Sequence, residues 1–283
     1  MSAKPEASPV ALVVPCYNER GRLDVSRFGD AAEKSDLHIL FVDDGSSDGT
    51  GEFLERQLAG NPRLSVLRCA SNRGKAAAVR EGMLALLERC PQADWLGFWD
   101  ADLSSPLNEV PRMLKFHDLE GAGFDAIWAS RVMRAGSEVE RPGRRHLFGR
   151  MFATASGLLL GVRAYDTQCG AKLFRRGAVA EIFGEPFISR WIFDLEIYCR
   201  MGHARILEYP VKEWRDVPGS KVRIGREMFR VGGDLLRIRK VYGRAGGWRT
   251  SSSQSTVASG LKTDGGERMA EVRGRRAEIR EQM

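Results

Sequence analysis

Residues 10–15 (VALVVP) form an unbroken apolar run, the pattern of a strand covered on both faces of a parallel sheet. A second run, 38–42 (HILFV), ends at the acidic, glycine-bearing stretch 43–50 (DDGSSDGT). Further strands are predicted over 64–67, over 95–99 (WLGFW), which stops at Asp100, and over 125–129. Helical patterns run between them: towards Lys34, over 51–58, and over 76–89 with a start near Asn72. Strand and helix alternate at roughly 25–30 residues, which predicts βαβ units in a doubly wound, mostly parallel α/β sheet. Polar clusters follow the carboxyl ends of strands one, two and four, the edge where open α/β sheets bind ligands.

From about Ser130 the pattern loosens into an Arg-rich segment, an apolar helix, a turn-rich stretch and further helices. Segments 145–160 and 225–242 are amphipathic; the second mixes apolar and cationic residues, as a helix at a membrane interface does, or one packed on its own domain. One domain is expected over 10–243, in two parts that divide at about residue 130. Residues 1–9 are polar, lack the apolar core of a signal peptide, and predict a flexible terminus. Residues 244–283, rich in Gly, Ser and charge, predict a disordered tail. No run reaches the ~18 uncharged apolar residues of a membrane span, and 151–162 (MFATASGLLLGV) is too short.

Composition changes this picture little, since 43% hydrophobic and 29% charged residues are ordinary for a globular chain. The net charge of +7 favours an anionic partner such as a nucleotide, a lipid phosphate or a membrane surface. Cys16, Cys69, Cys90, Cys169 and Cys199 are isolated, which argues against a zinc site or a disulfide framework and for a reducing cytosol.

Three clusters carry candidate chemistry. Pro15-Cys16-Tyr17-Asn18-Glu19 ends the first strand and offers polar groups at the sheet edge, as a ligand contact or as a turn with a helix cap. Asp43 and Asp44 are adjacent carboxylates whose repulsion demands donors or a cation; Asp44, Ser46 and Asp48 also suit helix caps. Asp100-Ala101-Asp102 places two carboxylates at i and i+2 after a buried strand, where they can converge on Mg²⁺ or Mn²⁺ beside substrate phosphates.

Together these pieces resemble family 2 glycosyltransferases of the GT-A (Rossmann-like) fold, and within them the dolichyl-phosphate glucose and mannose synthases and their bacterial polyprenyl-phosphate relatives. The resemblance rests on VVPCYNE, FVDDGSSDGT, NRGKAAAVREGM, FWDADLSSP, ASRV, DTQCGAKLF, RWIFDLEIY and EYPVKEW, in that order over about residues 10–240. It implies that Pro15, Tyr17, Glu19, Asp43, Asp44, Lys75 and Ala101 serve the nucleotide-sugar, with Asp100 and Asp102 on the metal and diphosphate. It places Arg131, Arg145 and Arg150 on an acceptor phosphate, although Gly149 stands where related synthases often carry a serine. It also implies a cytoplasmic protein peripheral to a membrane face, acting on a polyprenyl or dolichyl phosphate by single inverting displacement.

Within RWIFDLEIY, Trp191 and Asp194 are expected on one helix face, with Trp191, Phe193, Leu195 and Ile197 in the core and Asp194 near the acceptor. The DTQCG segment (166–170) matches the glucose-synthase-like branch better, which favours UDP-glucose over GDP-mannose. A rival reading keeps the fold and uses a hydroxyl acceptor, with Asp194 or Glu196 as base. An aspartyl-phosphate phosphatase fits less well: its acidic motif normally opens the chain, and Ser104 sits where Thr or Val is expected. A nucleic-acid binder would explain the charge but not acids at three strand ends.

Overall fold

In the computed structural model, β1 (Val10–Cys16) sends Val10, Leu12, Val14 and Cys16 into one apolar core and Ala11 and Val13 into another. That alternation is what a strand buried on both faces requires. The structure describes residues 10–121, 123–140, 143–202, 205–217 and 224–243, and of 143–150 and 224–229 the backbone alone. The expected flexible terminus (1–9) and tail (244–283) lie outside the described residues. The chain divides after Trp248, and the second unit falls wholly outside them.

β1 is followed by α1 (Val25–Lys34), β2 (Leu37–Asp43), α2 (Thr50–Leu58), β3 (Leu64–Arg68), α3 (Lys75–Arg89) and β4 (Trp95–Trp99). Then come α4 (Glu109–Glu120), β5 (Ala126–Ser130), β6 (Glu138–Glu140), α5 (Gly143–Leu160), β7 (Ala171–Arg175) and α6 (Arg176–Phe183). The described part closes with α7 (Phe193–Met201), β8 (Ile206–Pro210), β9 (Glu213–Arg215) and α8 (Ile224–Tyr242). Seven strands form one sheet in the order β3-β2-β1-β4-β7-β5-β8, and β6 pairs with β9 in a second, two-stranded sheet.

β1 pairs in parallel with both β2 and β4, so the winding reverses between β1 and β4. This is the switch point at which such sheets leave a crevice beyond the strand carboxyl ends. The doubly wound, mostly parallel sheet expected from the sequence is present.

The second half departs from the expectation of helices alone, because β6, β7, β8 and β9 also lie there. β7 runs antiparallel between β4 and β5, in the register Trp99↔Ala171 and Phe98↔Lys172. Its first residues therefore sit beside the last residues of β4. Lys172 breaks the apolar signature of AKLFR, yet its side chain is fully buried. The Lys172 ammonium donates to the Thr167 carbonyl at 3.0 Å, the Cys169 carbonyl at 2.6 Å and Asp194 Oδ1 at 2.6 Å. Those three acceptors match the three donors of an ammonium. The Trp128 and Phe98 rings lie 4.8 and 5.3 Å from Nζ and add cation–π attraction.

Removing one partner of such a pair strands the other charge in the interior. Lys172→Met is expected to lower unfolding stability by roughly 3–5 kcal/mol in urea titrations. Adding Asp194→Leu should recover part of that loss; a single Lys172→Met variant as stable as the parent would contradict the pair's structural role.

Candidate active site

Two of the loops that leave the sheet at the switch point are stitched together by short-range hydrogen bonds. The Asn18 N–H donates to Ser46 Oγ and the Ser47 N–H to Asn18 Oδ1, each at 2.9 Å, while the Glu19 N–H donates to Thr50 Oγ1 at 2.9 Å. Asn18 occupies the left-handed region (φ 53°), which Asn tolerates better than most residues. Leu103 does so as well (φ 52°), a less tolerated choice costing ~1–2 kcal/mol. It turns the chain just after Asp102, whose Oδ1 accepts from the Ser104 N–H at 3.0 Å and the Ser104 hydroxyl at 2.7 Å.

The adjacent carboxylates at the end of β2 obtain their donors from the backbone. Asp44 accepts the N–H groups of Arg73 at 2.9 Å and Gly74 at 2.7 Å, one on each oxygen. Asp43 accepts the Ser46 N–H at 3.1 Å, and Arg68 Nε stands 3.9 Å from its other oxygen. Both acids are buried, and of the two only Asp44 lines the cleft. Asp44 thus fixes the residues that open α3 and aim Lys75.

Lys75 Nζ lies 2.5 Å from Asp100 Oδ1. Burial alone would lower the Lys75 pKa, but Asp100, Asp194 and Asp102 outweigh it and hold the ammonium above its ordinary value. Gly170, the last residue before β7, accepts the Asp100 N–H at 2.9 Å. A Cβ at Gly170 would fall 1.8 Å from Asp100 Oδ2, so only glycine fits there. The glycine of DTQCG is therefore the seat of the first carboxylate of the Asp100–Asp102 pair.

These groups open onto a cleft of about 1120 Å³, at the upper end of small-molecule sites. Pro15, Tyr17 and Glu19 line it, as do Lys75, Asp100, Ala101 and Asp102. Cys16 and Arg22 also line it, and sequence reasoning gave neither a role. Burial, helped by Glu19 and Asp43, pushes the Cys16 thiol well up, so it stays protonated near neutral pH and is no nucleophile. Glu19 binds Arg22 through hydrogen bonds to its Nε and Nη2, which hold the guanidinium above its ordinary pKa.

Not every expected site residue reaches the cleft. Asp43 lies beneath the lining. Arg131 forks onto Asp166, with Nε–Oδ2 2.6 Å and Nη2–Oδ1 2.8 Å, and is not among the lining residues. Burial works against the Arg131 charge, but Asp166 more than restores it. Asp194 is occupied by Lys172, and Glu196 accepts the N–H groups of Ile188 and Ser189 at 2.9 Å each. The side chains of Arg145 and Arg150 lie outside the described residues. Trp191 departs from its expected core position: it precedes α7, is 44% exposed and lines the cleft. Asn72, Arg190, Arg230, Asp234 and Arg237 line it too. Arg190 and Trp191 stand in the motif RWIFDLEIY, so that signal was present; α8 carried only its amphipathic pattern.

The donor set suits a hard divalent cation. Among the described residues no group of three metal-ligating side chains exists. Two carboxylates at Asp100 and Asp102 fit an ion that completes its shell with substrate phosphates.

The family model "Glycosyl transferase family 2" matches residues 11–183. The dolichyl-phosphate beta-glucosyltransferase of Saccharomyces cerevisiae is 30% identical over 256 residues, covering 82% of this chain and 75% of that protein. The Dictyostelium discoideum dolichyl-phosphate beta-glucosyltransferase is 31% identical, covering 86% and 77%. Among solved structures, Mycobacterium tuberculosis glucosyl-3-phosphoglycerate synthase in complex with Mn²⁺, UDP-glucose and phosphoglyceric acid superposes with a TM-score of 0.57. It shares 19% identity and is matched over 82% of this chain and 79% of that one, which establishes the GT-A fold.

The geometry makes Asp44 the anchor of the 72–75 loop. Asp44→Ala is expected to speed amide hydrogen exchange at Arg73 and Gly74 and to cost ~1.5–3 kcal/mol of stability. Unchanged exchange at both amides would contradict that role.

Proposed function

We propose that this chain, which belongs to glycosyl transferase family 2, moves glucose from UDP-glucose to a polyprenyl or dolichyl phosphate with inversion at the anomeric carbon. That it is a glycosyltransferase follows from the family and from the curated relatives over most of its length. The observation that carries the finer reading is the convergence of Asp100, Asp102 and Lys75 at the switch-point cleft. The names of the glucosyltransferase relatives and the UDP-glucose and Mn²⁺ in the fold neighbour support the choice of donor, acceptor and ion.

In this reading the nucleoside lies against Pro15, Tyr17 and Glu19, with Asp43 and Asp44 shaping the loops beneath it. Asp100 and Asp102 would hold Mg²⁺ or Mn²⁺, which supplies charge stabilisation to the diphosphate when bound. Lys75 adds a fixed positive charge at the same place and keeps Asp100 oriented. A phosphate oxygen of the acceptor bonds to the anomeric carbon as that carbon's bond to the diphosphate oxygen breaks, and the electron pair leaves with UDP. The attacking oxygen is already anionic, so no base is required and rate enhancement rests on positioning and charge.

Arg145 and Arg150 remain proposed ligands of the acceptor phosphate. Arg131 joins them only by sharing its fork with Asp166. The hydroxyl-acceptor alternative needs a base, Asp194 or Glu196; the contact of Asp194 Oδ1 with Lys172 Nζ at 2.6 Å and the two backbone N–H groups on Glu196 favour structural roles for both. No helix among the described residues is long and apolar enough to cross a membrane. Exposed Met151, Leu158, Leu236 and Val241 on α5 and α8 support peripheral contact with a membrane or a membrane partner.

Asp102→Ala should abolish Mn²⁺-dependent UDP-glucose binding in isothermal titration while the protein stays folded. The parent should be stabilised in thermal shift by UDP-glucose more than by GDP-mannose or UDP-N-acetylglucosamine. UDP affinity that is equal with and without Mn²⁺ in both proteins would overturn the metal assignment. Asp43→Asn, buried below the nucleoside position, should weaken UDP binding even without metal.

A further inference from the structure

The part of the cleft lining supplied by α8 and by Arg190 and Trp191 has no role in the reading above, yet it is built. Arg230, Asp234 and Arg237 are spaced by four and three residues on α8, which places them on one helix face. Asp234 Oδ2 accepts the Ser189 hydroxyl at 2.7 Å, and Ser189 Oγ in turn accepts the N–H groups of Trp191 at 3.2 Å and Ile192 at 3.0 Å. Ser189 is buried, so this chain of bonds ties α8 to the turn that presents Arg190 and Trp191. Arg190 is steadied from the other side by Asn72 Oδ1 at 2.8 Å, and its side chain lies across Gly74, where a Cβ would meet Nε at 2.7 Å. Gly74 also has φ +93°, which few other residues adopt.

Three guanidinium groups thus share this lining with one carboxylate, engaged by Ser189 on one oxygen and by Arg237 at 3.4 Å on the other, and with a large indole left 44% exposed. Guanidinium forks grip phosphate oxygens, and an open aromatic face attracts an apolar chain. In the reading above the nucleoside lies against Pro15, Tyr17 and Glu19, which leaves this indole to the hydrocarbon of a phosphate ester of a long apolar alcohol. We propose that Arg190, Arg230 and Arg237 bind the acceptor's phosphate and that Trp191 packs on the first carbons of its hydrocarbon chain. This rests on the reading of Pro15, Tyr17, Glu19 and the Asp100–Asp102 pair as the donor site, and it adds α8 and the 189–191 turn to the acceptor groups proposed above.

The full chain, saturated with UDP and Mn²⁺, is titrated with farnesyl phosphate, and separately with UDP in the presence of Mn²⁺. Arg230→Ala combined with Arg237→Ala is expected to weaken farnesyl phosphate binding at least ~10-fold, with UDP affinity within about twofold of the parent. Trp191→Ala should weaken farnesyl phosphate binding while leaving that of inorganic phosphate nearly unchanged. Farnesyl phosphate affinity unaltered in the double variant would overturn the site. So would a parallel loss of UDP affinity, which would give the arginines to the donor diphosphate. Equal losses for farnesyl phosphate and inorganic phosphate in Trp191→Ala would overturn the role of the indole. Failure of the donor reading is distinguishable, because the parent chain would then fail to bind UDP at all.

Discussion

One buried ammonium organises the junction between the two halves of the cleft. Lys172 sits at the second position of an antiparallel strand, and its three donors take two carbonyls from the 167–169 turn and the carboxylate of Asp194. The turn it holds leads directly into Gly170, and Gly170 is the surface against which Asp100 rests. Asp194 belongs to the first turn of α7, just after the segment that carries Arg190 and Trp191. A lysine in an apolar interior is tolerated only when every donor is used, and here satisfying it also fixes two functional loops.

The same economy governs the acidic side. Carboxylates crowd the ends of β2 and β4, and each is compensated without a ligand: Asp44 by two backbone N–H groups, Asp43 by Ser46 and Arg68, Asp100 by Lys75, Asp102 by Ser104. The site is preorganised before any substrate arrives, so little reorganisation is needed when a diphosphate and its cation bind. Arg190, Arg230 and Arg237 in the same lining carry the complementary charge, which attracts anions into the cleft.

Much of this was legible in the sequence. Buried parallel strands leave near-continuous apolar runs, and Pro15, Tyr17, Glu19, Asp100 and Asp102, from the polar clusters after strands one and four, line the cleft together with Lys75 from the NRGK motif. What was hidden were partnerships between distant positions. AKLFR did not read as a strand because a lysine interrupts it, and only the three-dimensional arrangement shows that lysine to be satisfied. Arg131 resembled a phosphate ligand, but its partner Asp166 lies thirty-five residues on in the chain. Trp191 looked like core because it is large and apolar; it is half-exposed because it precedes α7 and faces the cleft. The Arg230–Arg237 wall was present only as amphipathicity, which does not distinguish a helix packed on its own domain from one that lines a site.

The central claim is that an anionic phosphate oxygen displaces UDP directly at the anomeric carbon. The most direct measurement is the identity and anomeric configuration of the product, by mass spectrometry and proton–phosphorus NMR, after incubation with UDP-glucose, Mn²⁺ and a short prenyl phosphate. The account predicts a β-linked glucosyl phosphodiester formed in equal amount with UDP and dependent on the prenyl phosphate. An α-linked product, or UDP release that yields free glucose at the same rate without the prenyl phosphate, would contradict it.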